Sequence, residues 1–349
     1  NNTIAGLIEG MDARNQEAID LAIIDLDDTD TKSKLGGNAT IAVSMAVLHA
    51  AANAQNLPLW KYLADGADVR LPMPEIQIFG GGAHAGGRVD IQDFMAIPIG
   101  AESFDEALEM VAEVYLAAGK LMSGAGKLAG VADEGGWWPN FDTNEEALDM
   151  LTRAIEAADM QPGEDVAISL DIAASEFGKN GIYKLGLENR ELDSAGMVDM
   201  LGDWIGRYPI ISIEDPLGED DPDALRDFTA KHGDEIQIIG DDFLVTSAER
   251  IDDAADAGIC NSALIKPNQA GTVTETKAAL DAAKRVGWAT VVSARSGETE
   301  DVTIAHMAVG WSAGQLKVGA FARSERMAKW NEVLRIEEAL GDRAILAGT

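Results

Sequence analysis

Ala167-Ile168-Ser169-Leu170-Asp171 is a short apolar run that ends in an acid. The pattern recurs at Ile210-Ile211-Ser212-Ile213-Glu214 and at Ile236-Gln237-Ile238-Ile239-Gly240-Asp241. A fourth run, Ala263-Leu264-Ile265-Lys266, ends in a lysine. Such runs, separated by helical patterns, read as buried parallel strands. When alternating strands and helices close into a barrel, the side chains at the strand C-termini converge on one pocket. Asp171, Glu214 and Asp241 would repel one another there unless a hard cation lay between them, and oxygen-only ligands suit Mg²⁺. Lys266, on the next strand, is then placed as a base or as a substrate clamp. Taken singly, each acid reads equally well as a helix cap or as the partner of an arginine. The three together at strand ends point to the metal.

Outward from these runs the alternation continues. Helical spacing covers 195–207, 223–232, 247–257, 272–286, 301–309 and 324–340, with further strands near 290–293 and 315–317. This order implies a parallel sheet. Upstream, 75–79 and 94–99 are strand-like, and Ser103 with Glu106 and Thr143 with Glu146 are capping-box patterns that open amphipathic helices. To about residue 65 the spacing is helical, at 15–25 and 39–54, around a polar, glycine-containing connector at 29–38. The break at 66–74 divides the chain into a helical N-terminal part, residues 1–67, and a barrel domain, residues 68–349.

Composition narrows the function. The chain of 349 residues is 46% hydrophobic and 25% charged, as expected of a globular protein. A formal charge of −33 argues against nucleic acid and anionic lipid as partners, because both need a cationic face. It leaves an anionic substrate open, since a few lysines, arginines and bound cations invert the field locally. No apolar run has bilayer-spanning length and no signal-peptide pattern opens the chain, so a cytoplasmic location and no membrane partner are expected. Cys260 is the single cysteine, which excludes an internal disulfide and fits a reducing compartment.

Nine segments, in order, resemble the enolase (phosphopyruvate hydratase) family. They are Lys32-Ser33-Lys34-Leu35-Gly36, Gly81-Gly82-Ala83-His84-Ala85, Asp133-Glu134-Gly135-Gly136, Ser169 to Glu176, Ile213-Glu214-Asp215-Pro216-Leu217, Gly240-Asp241-Asp242, Leu264 to Gln269, Arg295 to Asp301, and Arg323-Ser324-Glu325-Arg326. The resemblance spans essentially the whole chain. It implies an α/β fold, an eight-stranded enolase-type TIM-like barrel with irregular first connections and a partial N-terminal α+β capping domain. It implies a Mg²⁺-dependent lyase that dehydrates 2-phosphoglycerate to phosphoenolpyruvate. In the family pattern Asp171, Glu214 and Asp241 hold Mg²⁺, Lys266 removes the proton beside the substrate carboxylate, and the metal stabilises the enolate that forms. Glu134 helps the hydroxyl leave as water, Lys317 holds the carboxylate, Arg295 and Ser296 clamp the phosphate, and His84 and Asp93 lie near the substrate. Cations beside Lys266 are expected to lower its pKa. A homo-oligomer, a dimer or a multiple of dimers, is the family expectation.

Three departures set this chain apart from the pattern. Ala294 stands where the family has histidine. Asp93 stands where it has glutamate, which shortens the reach by one methylene, and a misplacement on that scale can cost about a hundredfold in rate. The opening sheet of the N-terminal domain, with its mobile loop over the substrate, does not occur in the sequence; we expect it to belong to the natural protein. Ala294 and Asp93 also raise a related lyase acting on another phosphorylated or phosphonate acid, as in carboxyphosphonoenolpyruvate synthesis. A non-catalytic, enolase-like scaffold would need neither the acid triad nor Lys266.

Overall fold

A computed structural model describes residues 2–348. Four helices open the chain: α1 (Asn2–Ile8), α2 (Gln16–Asp27), α3 (Gly37–Ala54) and α4 (Leu59–Ala64). Strands β1 (Met73–Gly80) and β2 (Asp93–Ile97) follow, then α5 (Phe104–Ala125), β3 (Leu128–Val131), β4 (Trp137–Pro139) and α6 (Asn144–Ala157). The next strand is β5 (Ala167–Asp171), and β6 (Gly178–Lys179), β7 (Ile182–Leu185) and β8 (Arg190–Asp193) form a separate three-stranded sheet. The remainder alternates: α7 (Ser194–Arg207), β9 (Ile210–Glu214), α8 (Pro222–His232), β10 (Gln237–Gly240), α9 (Ala248–Ala257), β11 (Ser262–Ile265), α10 (Pro267–Ala270), α11 (Val273–Arg285), β12 (Ala289–Ser293), α12 (Thr303–Gly310), β13 (Gly314–Gly319) and α13 (Ser324–Leu340).

Pairing in the order β13-β12-β11-β10-β9-β5-β2-β1, closed by β13 against β1, makes an eight-stranded barrel. Seven strands run one way. Strand β2 is antiparallel to both of its neighbours, β1 and β5. That reversal brings its first residue, Asp93, to the rim where the other strands end, and Asp93 is the register partner of Asp171. The uniform alternation expected after residue 166 is therefore interrupted once, by the β6–β8 sheet. Those strands are only two to four residues long, too short for an apolar periodicity to be read from the sequence.

Both capping boxes form with a small shift. Ser103 Oγ accepts from Glu106 N at 3.1 Å and Thr143 Oγ1 from Glu146 N at 3.1 Å. The returning glutamates accept one residue earlier than the motif supposes, Glu106 from Glu102 N and Glu146 from Asp142 N, each at 2.7 Å. Either way they satisfy backbone donors that the helix start leaves unpaired.

The N-terminal helices dock by supplying caps to the barrel. Asp20 and Ser44, both fully buried, accept from the backbone of Thr274 at 3.0 Å and of Val273 at 2.9 Å, the first turn of α11. Lys32 pairs with Glu275 at 2.7 Å in the same turn. These donors are unpaired in an isolated helix, so the contact stabilises α11 and the domain junction together.

Candidate active site

Five barrel strands bring a charged side chain at or near their C-terminal ends to one rim. Asp171 ends β5, Glu214 ends β9, Asp241 follows β10, Lys266 follows β11 and Lys317 lies near the end of β13. Asp171 and Glu214 are register partners. Lys317 Nζ lies 2.7 Å from Asp171 Oδ2, 2.8 Å from Glu214 Oε2 and 3.6 Å from Asp93 Oδ2. Lys266 Nζ lies 2.5 Å from Asp241 Oδ2. The three sequence-identified acids thus share one basin, divided between two lysines.

The charges do not balance. Burial pushes the Glu214 carboxyl well above the ordinary range, and the neighbouring Asp171 pushes it further, with Lys317 opposing. Lys317 loses hydration by burial, yet Asp171, Glu214 and Asp93 hold its ammonium well above the usual lysine range. One ammonium cannot neutralise that many carboxylates, and Glu214 Oε1 is buried without a hydrogen-bond partner. An all-oxygen donor set with an orphaned carboxylate oxygen and excess negative charge fits a hard divalent cation. At Lys266 the protein's own groups act in opposite directions. Burial lowers its pKa and Lys317 does so too, but Asp241 and Glu214 outweigh them and raise it.

On the other side of the basin stand His84, Asp93 and Glu134, one ligand atom of each lying within 4.8 Å of the others. His84 occupies the 3₁₀ turn Gly82–Ala85 after β1. Its Nε2 is 2.7 Å from Ser296 Oγ and its Nδ1 is 3.5 Å from Asp93 Oδ1, an ion-pair separation. Burial would lower the histidine pKa, but Asp93 and then Glu134 raise it to about 9, so the ring is cationic at neutral pH. Burial likewise opposes the Asp93 charge, and His84 and Lys317 overcome it, lowering that carboxyl to about 2. Glu134 moves the other way. Burial and Asp93 raise its pKa, which suits a group that keeps a proton to donate.

Gln77, on β1, was given no role by the sequence and organises this side. Its Nε2 donates to Asp93 Oδ1 and lies 3.5 Å from Glu134 Oε2, while its Oε1 accepts from Gly136 N at 2.8 Å. Any side chain at Gly136 would stand only 2.5 Å from Gln77 Oε1, so glycine is required for this approach. Gln92 was also missed; it donates to Asp171 Oδ2 at 2.9 Å.

Arg295 and Ser296, which the family pattern leads one to expect at the phosphate, sit on the loop after β12. Arg295 is exposed, and its side chain forms no ion pair among the described residues. Glu298, three residues on, pairs with Lys329 at 3.0 Å. Fully buried Arg326, quoted within a motif but unassigned, fixes this loop by donating to the carbonyls of Arg295 at 2.8 Å and Ser296 at 2.6 Å. Ala294 is buried in the main core cluster, and its N–H donates to Lys317 O at 2.9 Å, which ties the start of this loop to β13.

Comparison with known proteins agrees with this geometry. Residues 68–349 match the family model for the enolase C-terminal TIM barrel domain, and residues 1–63 match that for the enolase N-terminal domain. The chain is 51% identical over 347 residues to Enolase 1 of Desulfitobacterium hafniense (strain Y51), covering 99% of this chain and 79% of the relative. With a closed barrel, converging rim acids and family matches across both of its parts, the chain belongs to the enolase family.

Proposed function

We propose that this enolase-family lyase converts 2-phosphoglycerate to phosphoenolpyruvate with Mg²⁺ held by Asp171, Glu214 and Asp241. The observation that carries the reading is the surplus of buried carboxylate around Lys317, which includes an oxygen of Glu214 with no partner. Bound there, Mg²⁺ would supply positive charge where the substrate carboxylate gains negative charge.

The chain's own residues do the rest. Lys317, buried and cationic, holds the substrate carboxylate. Arg295, free of internal ion pairs among the described residues, and Ser296 bind the phosphate, the planar guanidinium matching its oxygens. Lys266 must be neutral to take the proton, and pairing with Asp241 keeps it charged. A cation held by Asp241 would offset that carboxylate's charge and favour the neutral amine. Glu134, biased toward its protonated form, gives its proton to the departing hydroxyl. His84 and Asp93 form the ion pair beside it and fix the local charge.

The small-molecule substrate accords with the family. A cytoplasmic setting and assembly as a dimer or a multiple of dimers are part of the same proposal, as is the division into residues 1–67 and 68–349. No helix among the described residues is long and apolar enough to cross a membrane.

Ala294 and Asp93 favour one rival, a lyase on a related phosphonate acid. One assay separates them. Protein, Mg²⁺ and 2-phosphoglycerate are mixed and the enol product is followed by absorbance. Turnover that falls about 10²–10⁴-fold in Lys266→Ala supports the proposal. Absence of turnover, with solvent deuterium entering a phosphonate acid instead, supports the rival.

A further inference from the structure

Beneath the rim carboxylates the barrel lumen holds a second polar layer. Residues two apart on a strand share a face. Gln315 therefore lies one step below Lys317, Ser169 below Asp171 and Ser212 below Glu214. Ser169 and Ser212 are register partners on β5 and β9, and Ser212 pairs in turn with Gln237 on β10. Gln237 reaches across the interior. Its Nε2 donates to Gln315 Oε1 at 2.7 Å, and Gln315 Nε2 donates back to Gln237 Oε1 at 3.0 Å and to Glu75 Oε1 at 3.1 Å. Strands β10 and β13 are not neighbours, so this link runs through the lumen. The other wall is apolar, formed by Ile239, Leu264 and Val291.

Three oxygens in this layer have no hydrogen-bond partner among the described residues: Glu75 Oε2, Ser169 Oγ and Ser212 Oγ. All three residues are fully buried. Each such orphan destabilises the fold unless something pairs with it. Water, which both donates and accepts, suits a buried layer of polar oxygens of this kind. Glu75 is also the register partner of Lys317 on the adjoining strand, yet no direct ion pair joins them. Burial pushes the Glu75 carboxyl up to about 7, with Lys317 as the charge that opposes the rise.

We propose that Glu75 is a positioning residue for Lys317. Its carboxylate, bridged to Ser169 and Ser212 by bound water, draws the ammonium down into the barrel and loosens its hold on the carboxylates of substrate and product. A looser ground-state grip favours turnover, because binding substrate and product equally tightly adds nothing to the chemical step. The inference rests on reading Lys317 as the carboxylate clamp.

The test compares Mg²⁺-loaded wild type, Glu75→Gln and Lys317→Ala by calorimetry at pH 8, where Glu75 is largely ionised. The probes are phosphoglycolate, which carries a phosphate and a carboxylate, and inorganic phosphate, which lacks the carboxylate. Glu75→Gln is expected to tighten phosphoglycolate about threefold or more and to leave inorganic phosphate unchanged. A merely structural role would move both ligands alike or neither, and either result overturns the proposal. Lys317→Ala tests the underlying reading: if it leaves phosphoglycolate affinity intact, the clamp assignment fails. If Lys317→Ala weakens phosphoglycolate and Glu75→Gln does not tighten it, only the role of Glu75 fails. Should Glu75→Gln not fold, a high-resolution crystal structure of the wild type decides. A water bonded to Glu75 Oε2 and to Ser169 or Ser212 supports the proposal, and a dry layer overturns it.

Discussion

His84 Nε2 and Ser296 Oγ lie 2.7 Å apart, joining the turn after β1 to the loop after β12 across the barrel mouth. The bond fixes a serine proposed to face phosphate by means of a histidine that is itself cationic and paired with Asp93. Ser296→Ala should therefore raise KM for 2-phosphoglycerate about ten- to a hundredfold, the value of one hydrogen bond to a charged group, and change kcat less. Steady-state kinetics check this, and an unchanged KM would remove Ser296 from the phosphate site.

The His84–Asp93 pair also predicts a pH dependence of stability. The histidine pKa is raised from 6.5 to about 9 in the folded chain, so its contribution is complete below pH 6.5 and is lost as pH rises toward 9. The full shift is worth at most about 3 kcal/mol. Asp93 is depressed to about 2, so its share is present above its ordinary pKa of 3.8 and is lost only as pH falls through the acid range. Denaturant titrations of metal-free protein between pH 6 and 9.5 should show wild-type stability declining relative to His84→Asn. Parallel curves would mean that the imidazole is not held charged by its neighbours.

The rim was legible because acids closing apolar runs are rare on buried strands, and Asp171, Glu214 and Asp241 each carried that signature. Gln77 and Glu75 were not legible, although they alternate with Ile76 and Ile78 in a strand-like pattern. A period of two distinguishes the faces of a strand without saying which one meets solvent. In this barrel the polar face of β1 is the lumen. The direction of β2 was hidden for a similar reason, since a short apolar run has no polarity of its own. Arg326 lay within a quoted motif, but its role depends on carbonyl groups of Arg295 and Ser296, some 30 residues earlier, and no local pattern records that contact.

Gln77 supplies a prediction about preorganisation. One amide bonds Gly136 N and Asp93 and approaches Glu134, so Gln77→Leu leaves several buried polar groups without partners. The variant should lose about 1–3 kcal/mol of stability for each group left unpaired. Its kcat should fall by more than that loss accounts for, because Glu134 would no longer be aimed. Urea denaturation and kinetics on the folded fraction measure the two effects separately. Full activity in a destabilised Gln77→Leu protein would show that the Glu134 loop holds its place without the amide.

Ala294 tests which substrate the site suits. The alanine is buried just after β12, and its N–H on Lys317 O sets its backbone against that of the lysine proposed to hold the carboxylate. The family pattern places histidine at this position, and its ring would add a donor where this chain has a methyl group. If the chain works on 2-phosphoglycerate with one polar contact missing, Ala294→His should raise kcat/KM by about tenfold, the worth of a single added hydrogen bond to a charged substrate. A fall in turnover of 2-phosphoglycerate, together with preserved stability in urea, would show instead that the space left by alanine accommodates a substituent that 2-phosphoglycerate does not carry. The next measurement would then be solvent-deuterium exchange into phosphonate acids, comparing Ala294→His with the wild type. Loss of exchange on restoring the histidine would assign the alanine to recognition of that second substrate.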